Sequence, residues 1–480
     1  MKKIFASSIF WAGVICFLFF VAYAILGIIR QMHFLSGYDI AVVDQGIWNY
    51  SHFRNAISTN HAYAFTPMLW DHVELIYFLI APFYWIFDSI YTLIILQALA
   101  ITASGMAVFL LAKKYALQTS VALSLVVSYL MFYGIQNAIW ADVHSLVFGV
   151  AFLAWFLFFV ENGNKKLSWF FFFLTIICKE DMALAILIIC FVLFVMRRDK
   201  QMLWFMGIAT LYLFAIFYVY FSHFVPGGYR FQNKAGLLSN IDMRNFYNTS
   251  DKQNVWWYSF LSFGFLPLLS PLFLLPAIGD LAKYFLIANS VVTSGQSIFG
   301  HYRSILALLL VWPTIITIHK YKKLNNTFFA LYVLIFALFV QYLLHSPLSY
   351  LAKKWFWAAP TSVTAMKTML TEIPQNASVV TQINFLPHLS HRQYEFTLWP
   401  QTKNFGKNSP CNHPTCDWFR WAGNPQYLLV DTATDWDARY WLTNRTNFVQ
   451  GIANLQKMKI IQPVKTIDTT TLYRILHKPN

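Results

Sequence analysis

Charge is what this chain has least of. Asp, Glu, Lys and Arg make up 11% of its 480 residues, against about a quarter in an ordinary soluble domain. Hydrophobic residues make up 58%, and the mean hydropathy is +0.50. A surface so poor in charge cannot be dissolved in water, which excludes a soluble globular protein and points to a multi-pass membrane protein. Cysteine is scarce as well, and five residues are too few for a disulfide scaffold. Cys16, Cys178 and Cys190 fall in apolar runs and read as packing residues. Cys411 and Cys416, in CNHPTC, stand in a polar segment, where a short disulfide loop would require an oxidising, extracytoplasmic compartment. Their spacing, even with His413 between them, is a poor zinc pattern. Walker, GxGxxG, GxSxG and HExxH motifs are missing, as are internal repeats and low-complexity tracts. No soluble ATP-driven engine is encoded here. Nor does the N-terminus read as a signal peptide, because the apolar run Ile4 to Ile29 outlasts a signal core of about 7–15 residues and no small-residue cleavage site follows it.

What is present is a succession of apolar runs. A net charge of +15 would suit nucleic acid, but in membrane proteins Lys and Arg gather in cytoplasmic loops, so no nucleic-acid partner is expected. Lys2 and Lys3 place the N-terminus inside and the loop after the first run outside. Further spans are expected at Ser89 to Ala112, Val121 to Tyr133, Leu146 to Val160, Leu203 to Phe224, Trp256 to Ile278, Leu281 to Phe299, Ser304 to Ile318 and Phe328 to Leu344. Val73 to Phe87, broken by Pro82, is expected to lie in the interface or dip into the membrane. Leu167 to Met196 is interrupted by Lys179, Glu180 and Asp181; basic residues at both its ends favour a hairpin of two short helices over one long crossing. The total is about eleven crossings, an odd number that leaves the C-terminal residues outside.

From about Ser346 the composition changes. Ala377 to Ile383, Gln426 to Asp431 and Thr471 to Leu476 have strand character, and Thr361 to Ile373 and Thr443 to Lys457 helical character. The expected architecture is therefore mainly α: a polytopic helical bundle over 1–345 with a large first external loop (30–88), and a small extracytoplasmic α/β domain over 346–480.

The loop Gly37 to His72 is where chemistry concentrates. Asp39 and Asp44 are candidates for a general base at the membrane surface, taking a proton from an acceptor hydroxyl; acids in such loops also cap interfacial helices. Asp44, in VVDQGIW, has the more unusual setting, with Asp39 as its orienting partner. Asp71 reads as the N-cap of VELIYFLIAP, with His72 turned to the site. Asp142 and His144, in WADVH, repeat the acid–His theme at the next external edge, although short loops need polar residues anyway. Lys179, Glu180 and Asp181 sit inside an apolar hairpin, where ionisable groups line a cavity or neutralise one another. A functional reading gives Lys179 to a phosphate and an acid to the acceptor or to the lysine. His301 and Arg303, in GHYRS, supply a cationic edge suited to phosphate, or a snorkelling Arg. His388, His391 and Arg392 in PHLSHRQYEF read as a fold-back over the site or an ordinary polar loop.

Together, YDIAVVDQGIW, WDHVELIYFLIAPFYWIF, SIYTLIILQALAI, ICKEDMAL, GHYRS and IPQNASVVTQINFLPHLSHRQYEF with YLLVD resemble a large prokaryotic family of multi-pass membrane proteins of unknown function. That family in turn resembles GT-C glycosyltransferases of the protein O-mannosyltransferase and aminoarabinose transferase type. The resemblance implies a GT-C-like bundle in the cytoplasmic membrane and inverting transfer of a sugar from a polyprenyl-phosphate donor to an extracytoplasmic acceptor. It implies a catalytic acid at Asp44 or Asp39, with His72 in support. The expected phosphate ligands are Lys179, His301 and Arg303, with Glu180, Asp181, Asp142 and His144 as supporting groups. No cofactor is required, although the acids could hold a divalent metal. In WDHVEL, Val73 and Glu74 replace the prolines of the family's His-Pro-Pro-Leu element, and no WWDYG-like motif is present, which argues against an oligosaccharyltransferase. A transporter or lipid-linked sugar flippase is the alternative, against which stands the lack of paired broken helices.

Overall fold

A computed structural model describes residues 2–61, 64–229, 242–286, 293–398, 419, 421–434, 440 and 444–478. Two compact units share the chain. The first comprises Met1–Gly27, Leu69–Tyr77 and Ile94–Lys353; the second comprises Ile28–Met68, Phe78–Leu93 and Lys354–Asn480. Much of the stretch between the first and second membrane-length helices thus belongs to the same unit as the C-terminal residues.

Among the described residues six helices are long and apolar enough to cross a membrane: Ser7–Met32, Tyr91–Lys114, Thr119–Ala141, Lys200–Phe224, His301–Lys320 and Thr327–Leu344. Leu167 to Met196 is two helices, Lys165–Ile176 and Glu180–Arg197, with the break at the charged triplet. Glu180 and Asp181 occupy the first turn of the second helix, where the positive end of the helix dipole favours carboxylates.

Two expected spans are corrected. Trp256 to Ile278 is not one helix. Ser250–Leu261 ends, Gly264 and Phe265 turn through left-handed φ of 57° and 58°, and two short 3-10 turns opened by prolines lead into Leu275–Phe285. The turn is fixed by contact: a Cβ on Gly264 would meet the Tyr332 ring at 2.3 Å, and the Tyr332 hydroxyl donates to the Gly264 carbonyl at 3.0 Å. Leu281 to Phe299 is no single returning helix either: among the described residues the helix Leu275–Phe285 stops at Phe285, and Thr293–Gln296 and His301–Arg303 are single 3-10 turns, while 287–292 lie outside the described residues. The polar VTSGQS stretch has no apolar face to bury.

In the second unit β1 (Ile57–Ser58) and β2 (Thr66–Pro67) pair antiparallel. β3 (Val379–Thr381), β4 (Glu395–Thr397), β5 (Tyr427–Asp431), β6 (Ile461–Ile467) and β7 (Thr470–Ile475) form a five-stranded sheet in the order β4-β3-β5-β7-β6. β3, β4 and β5 run parallel, and β7 and β6 are antiparallel. Side chains alternate across the pleat. Val380, Leu428, Val430 and Tyr473 pack with Phe448 and Ile452 of the helix Arg445–Lys457. Val379, Leu429 and Leu472 pack with Met366 and Met369 of the helix Val363–Thr371. The α/β expectation holds here. β4 and β6 were not expected; β6 is an edge strand, mostly exposed and interrupted at Pro463/Lys465, and lacks the alternation that marks a half-buried strand.

One close approach in the first unit fixes the backbone at Arg303. A Cβ on Gly134, in the helix Tyr133–Ala141, would fall 2.3 Å from the carbonyl oxygen of Arg303. Gly134→Ala is therefore expected to destabilise the protein by about 1–3 kcal/mol through overpacking. Gly207→Ala, with nothing within 4 Å of the added carbon, should be neutral or slightly stabilising. Denaturant unfolding in detergent compares the two.

Candidate functional site

In the first unit, residues 72–75 form no helix, which corrects the expected N-cap role of Asp71: the helix starts only at Ile76. The segment is held instead by Glu180. His72 Nδ1 lies 2.6 Å from Glu180 Oε1, the Tyr229 hydroxyl donates to the same oxygen at 3.0 Å, and the Val73 backbone N–H donates to Oε2 at 3.3 Å. Burial and Lys179 oppose a charge on His72, but the Glu180 carboxylate outweighs them and its pKa is raised above 6.5. The neighbouring Glu74 accepts a hydrogen bond from Ser145.

The same unit holds cations in different settings: Lys283 is half-buried, whereas Lys179, Lys252 and Arg303 are buried, Lys252 with its three donors on the Asn245 and Phe285 carbonyls and Asn248 Oδ1. Lys283 is paired on both sides, 3.0 Å from Asp181 Oδ2 and 2.8 Å from Asp280 Oδ1, and Tyr284 also donates to Asp181, at 3.3 Å. Lys179 and Arg303 are different. Lys179 is buried with no carboxylate in ion-pair range among the described residues, its ammonium 5.8 Å from the centre of the Tyr302 ring. Arg303 is wholly buried and its guanidinium packs 5.0 Å over the Tyr284 ring. Its Nη2 donates to the Gly295 carbonyl at 2.9 Å, while Nε and Nη1 have no partner among the described residues. Tyr284 and Tyr302 touch, with centroids 5.1 Å apart, so both cations with donors to spare lie against one tyrosine pair. His301 lies against Tyr302 with centroids 3.9 Å apart and the rings tilted by 38°, and it stacks on His144 at 3.6 Å. The loop that bears His144 is clamped by Gln97, which donates to the Asp142 carbonyl at 3.0 Å and accepts from the His144 N–H at 2.8 Å.

Asp44 belongs to the second unit. It lies on the helix Tyr38–Ser51 and is fully buried. Tyr84 and Ser390 donate to its two oxygens, and His391 Nε2 lies 3.0 Å from Oδ2. His391 Nδ1 is 3.0 Å from Asp88 Oδ1, so the imidazole bridges two carboxylates. Trp48, one turn after Asp44, stacks on that ring at 5.9 Å. Burial opposes the charge on His391, yet Asp44 and then Asp88 outweigh it and raise its pKa. Gln45 fixes the adjoining chain: its oxygen accepts from the Thr59 N–H at 2.8 Å, and its amide donates to the Arg392 carbonyl at 3.1 Å. His388 is inert by comparison, stacked on Phe34 at 3.8 Å with its pKa lowered to about 3 by burial and then by Lys367. Asp39 lies in the exposed first turn of the same helix. Five residues from Asp44, it is displaced by about 140° around the axis, so helix geometry turns the two acids to different faces.

The sequence-selected residues thus fall into two groups. His72, Lys179, Glu180, Asp181, His301, Arg303, Asp142 and His144 belong to the first unit, and Asp39 and Asp44 to the second. Cys411 and Cys416 lie outside the described residues. Tyr229, Lys283, Tyr284 and Asp88 were not foreseen; they are single polar residues in apolar or mixed stretches, and only folding brings them to their partners. Among the described residues no group of three or more His, Cys, Asp or Glu is placed to hold a metal ion.

Truncation should separate these cations. Lys283→Ala leaves the buried Asp280, and Asp181 beside it, without their shared counter-charge and should cost about 1–3 kcal/mol. Lys179→Ala removes no ion pair, since Glu180 keeps His72 and Asp181 keeps Lys283, and should cost less than Lys283→Ala in the same denaturant unfolding. For His391, whose folded pKa is raised, the stabilisation is complete below its unfolded value of about 6.5 and is lost as pH rises through the folded value. Unfolding measured between pH 6 and 9 should show that decline in the parent protein, and His391→Gln should flatten it.

No curated protein matches this chain. The profile of the family described as "Predicted membrane protein (DUF2079)" matches residues 30–441, and so takes in the loop of Asp44, the break at Lys179 and the turn of Arg303. With its several membrane-length apolar helices and that match, the chain belongs to this family of membrane proteins.

Proposed function

We propose that this protein is a membrane glycosyltransferase that moves a sugar, with inversion, from a polyprenyl-phosphate donor to an acceptor outside the cytoplasm. The observation that supports it is the placing of two buried cations, Lys179 and Arg303, with no carboxylate in ion-pair range among the described residues, against the Tyr284–Tyr302 pair in a unit rich in membrane-length helices; Lys252, also buried, has its three donors taken by the Asn245 and Phe285 carbonyls and Asn248. Lys179 and Arg303 call for an anion, and one that reaches an apolar bundle travels best on a lipid. In this reading Lys179, Arg303 and His301 hold the phosphate. The bond from the anomeric carbon to the phosphate oxygen breaks as the acceptor oxygen attacks from the opposite side, and the departing phosphate keeps the electron pair, stabilised by the two cations.

The acceptor proton needs a base, and His72 is the better placed candidate. Glu180 holds its Nδ1 at 2.6 Å, which orients the ring and raises its basicity, as a carboxylate does for a catalytic histidine. Asp44, the first choice on sequence grounds, already receives Tyr84, Ser390 and His391; we assign it the role of a fastening within the second unit. In this reading the protein lies in the cytoplasmic membrane with residues 346–480 outside.

The test is transfer and donor hydrolysis by the purified full-length protein in proteoliposomes, with a panel of polyprenyl-phosphate hexoses and pentoses. Lys179→Gln should lower kcat/KM by about 10²–10³-fold, the size of effect seen when one transition-state donor is removed. Because the base must be unprotonated and its pKa is raised, the rate should climb as pH rises above about 6.5, and His72→Gln should abolish that climb. Movement of the lipid-linked sugar across the bilayer with no transfer would replace this reading with a carrier.

A further inference from the structure

The second unit has an apolar surface that neither the fold nor the proposed chemistry uses. Residues 78–87 form a short helical segment with two faces. Ile80, Ala81 and Tyr84 are buried, whereas Leu79, Phe83, Trp85, Ile86 and Phe87 are exposed, Ile86 to 83%. Phe53, on a left-handed turn just past the helix Tyr38–Ser51, is 86% exposed and lies 5.7 Å from the Trp85 ring, which joins the two segments into one patch. The Trp85 indole N–H donates to the Ser51 carbonyl at 2.7 Å, so the ring presents its apolar surface outward with its polar group already engaged.

We infer that this patch, Phe53 with Leu79, Phe83, Trp85, Ile86 and Phe87, is seated in the lipid bilayer interface and makes the second unit a membrane-contacting body in its own right. Continuity of the chain selects the occupant. The membrane-length helix Tyr91–Lys114 begins four residues after Phe87, and four residues reach at most about 14 Å when fully extended. The headgroup layer beside the hydrocarbon core is about 5–7 Å deep on each side, so even a fully extended link would lift Phe87 only about 8 Å clear of it, and the turn in which the Ser89 N–H donates to the Phe87 carbonyl at 2.9 Å shortens that reach. Aromatic residues on one face of a short helix match that layer, where rings bury their apolar bodies at headgroup level. The opposite face of the segment explains why the patch matters to the unit. Tyr84 donates to Asp44, and Asp88 holds His391 Nδ1 at 3.0 Å. The strip that meets lipid is thus bolted to the α/β domain through the Asp44–His391–Asp88 bridge. This inference does not rest on the transferase reading.

The experiment is site-specific photocrosslinking of the full-length protein in phosphatidylethanolamine–phosphatidylglycerol vesicles. The photoreactive residue p-benzoylphenylalanine replaces Ile86, Phe53 or, as a control, Val464, an exposed residue of the edge strand. Because all three side chains are exposed, the replacements leave packing intact, and a solubilised melting curve checks each. Mass spectrometry should find phospholipid adducts at positions 86 and 53 several-fold above position 464. Adducts to a second copy of the chain instead of lipid, or lipid labelling no higher than at position 464, would each overturn the inference.

Discussion

The carboxylate of Glu180 is the constraint on which the first unit depends. An ionised group among apolar helices is costly unless it is matched, and Glu180 is matched by His72, by the Tyr229 hydroxyl and by the Val73 backbone. That need pulls residues 72–75 out of the helix their sequence suggests and fastens them to the start of Glu180–Arg197. The next residue repeats the pattern, with Asp181 matched by Lys283 and Tyr284. Two acids adjacent in sequence therefore gather partners from segments far apart along the chain. Lys179, which precedes them, has no carboxylate in ion-pair range among the described residues, although Glu180, Glu74 and Asp181 all act on its charge from further away.

The second unit solves the same problem with the same chemistry. Asp44 is buried on a helix and satisfied by a phenol, a hydroxyl and an imidazole, and the imidazole reaches on to Asp88. The helix Tyr38–Ser51 and the turn at Tyr84 are thereby joined to the segment between β3 and β4. Gln45 adds a second fastening beside the first, through Thr59 and Arg392. What reads as a loop between spans is an integral piece of an α/β body.

Several features were legible before folding. The membrane class followed from charge content, the hairpin break from three ionisable residues in an apolar run, and the α/β character from strand-like stretches alternating with helical ones. The failures have specific causes. The Leu281 to Phe299 stretch was too weakly apolar to tell a span from a loop. β6 is an exposed edge strand with a Pro and a bulge, so no alternation marks it. His391 looked like an ordinary loop residue because both its carboxylates, Asp44 and Asp88, lie hundreds of residues away.

Composition and periodicity by themselves determined the solvent this protein requires and the kinds of segment it contains, because both are properties of stretches a few residues to twenty long. Tertiary structure alone decided which charges are neutralised and which are left open. Pairing depends on distances of about 3 Å between side chains remote in sequence, and no local pattern encodes those. Lys179 and Lys283 show the difference: each is a lysine in a largely apolar stretch of sequence, and only folding brings Asp181 and Asp280 to 3.0 Å and 2.8 Å from Lys283 while, among the described residues, no carboxylate comes within ion-pair range of Lys179.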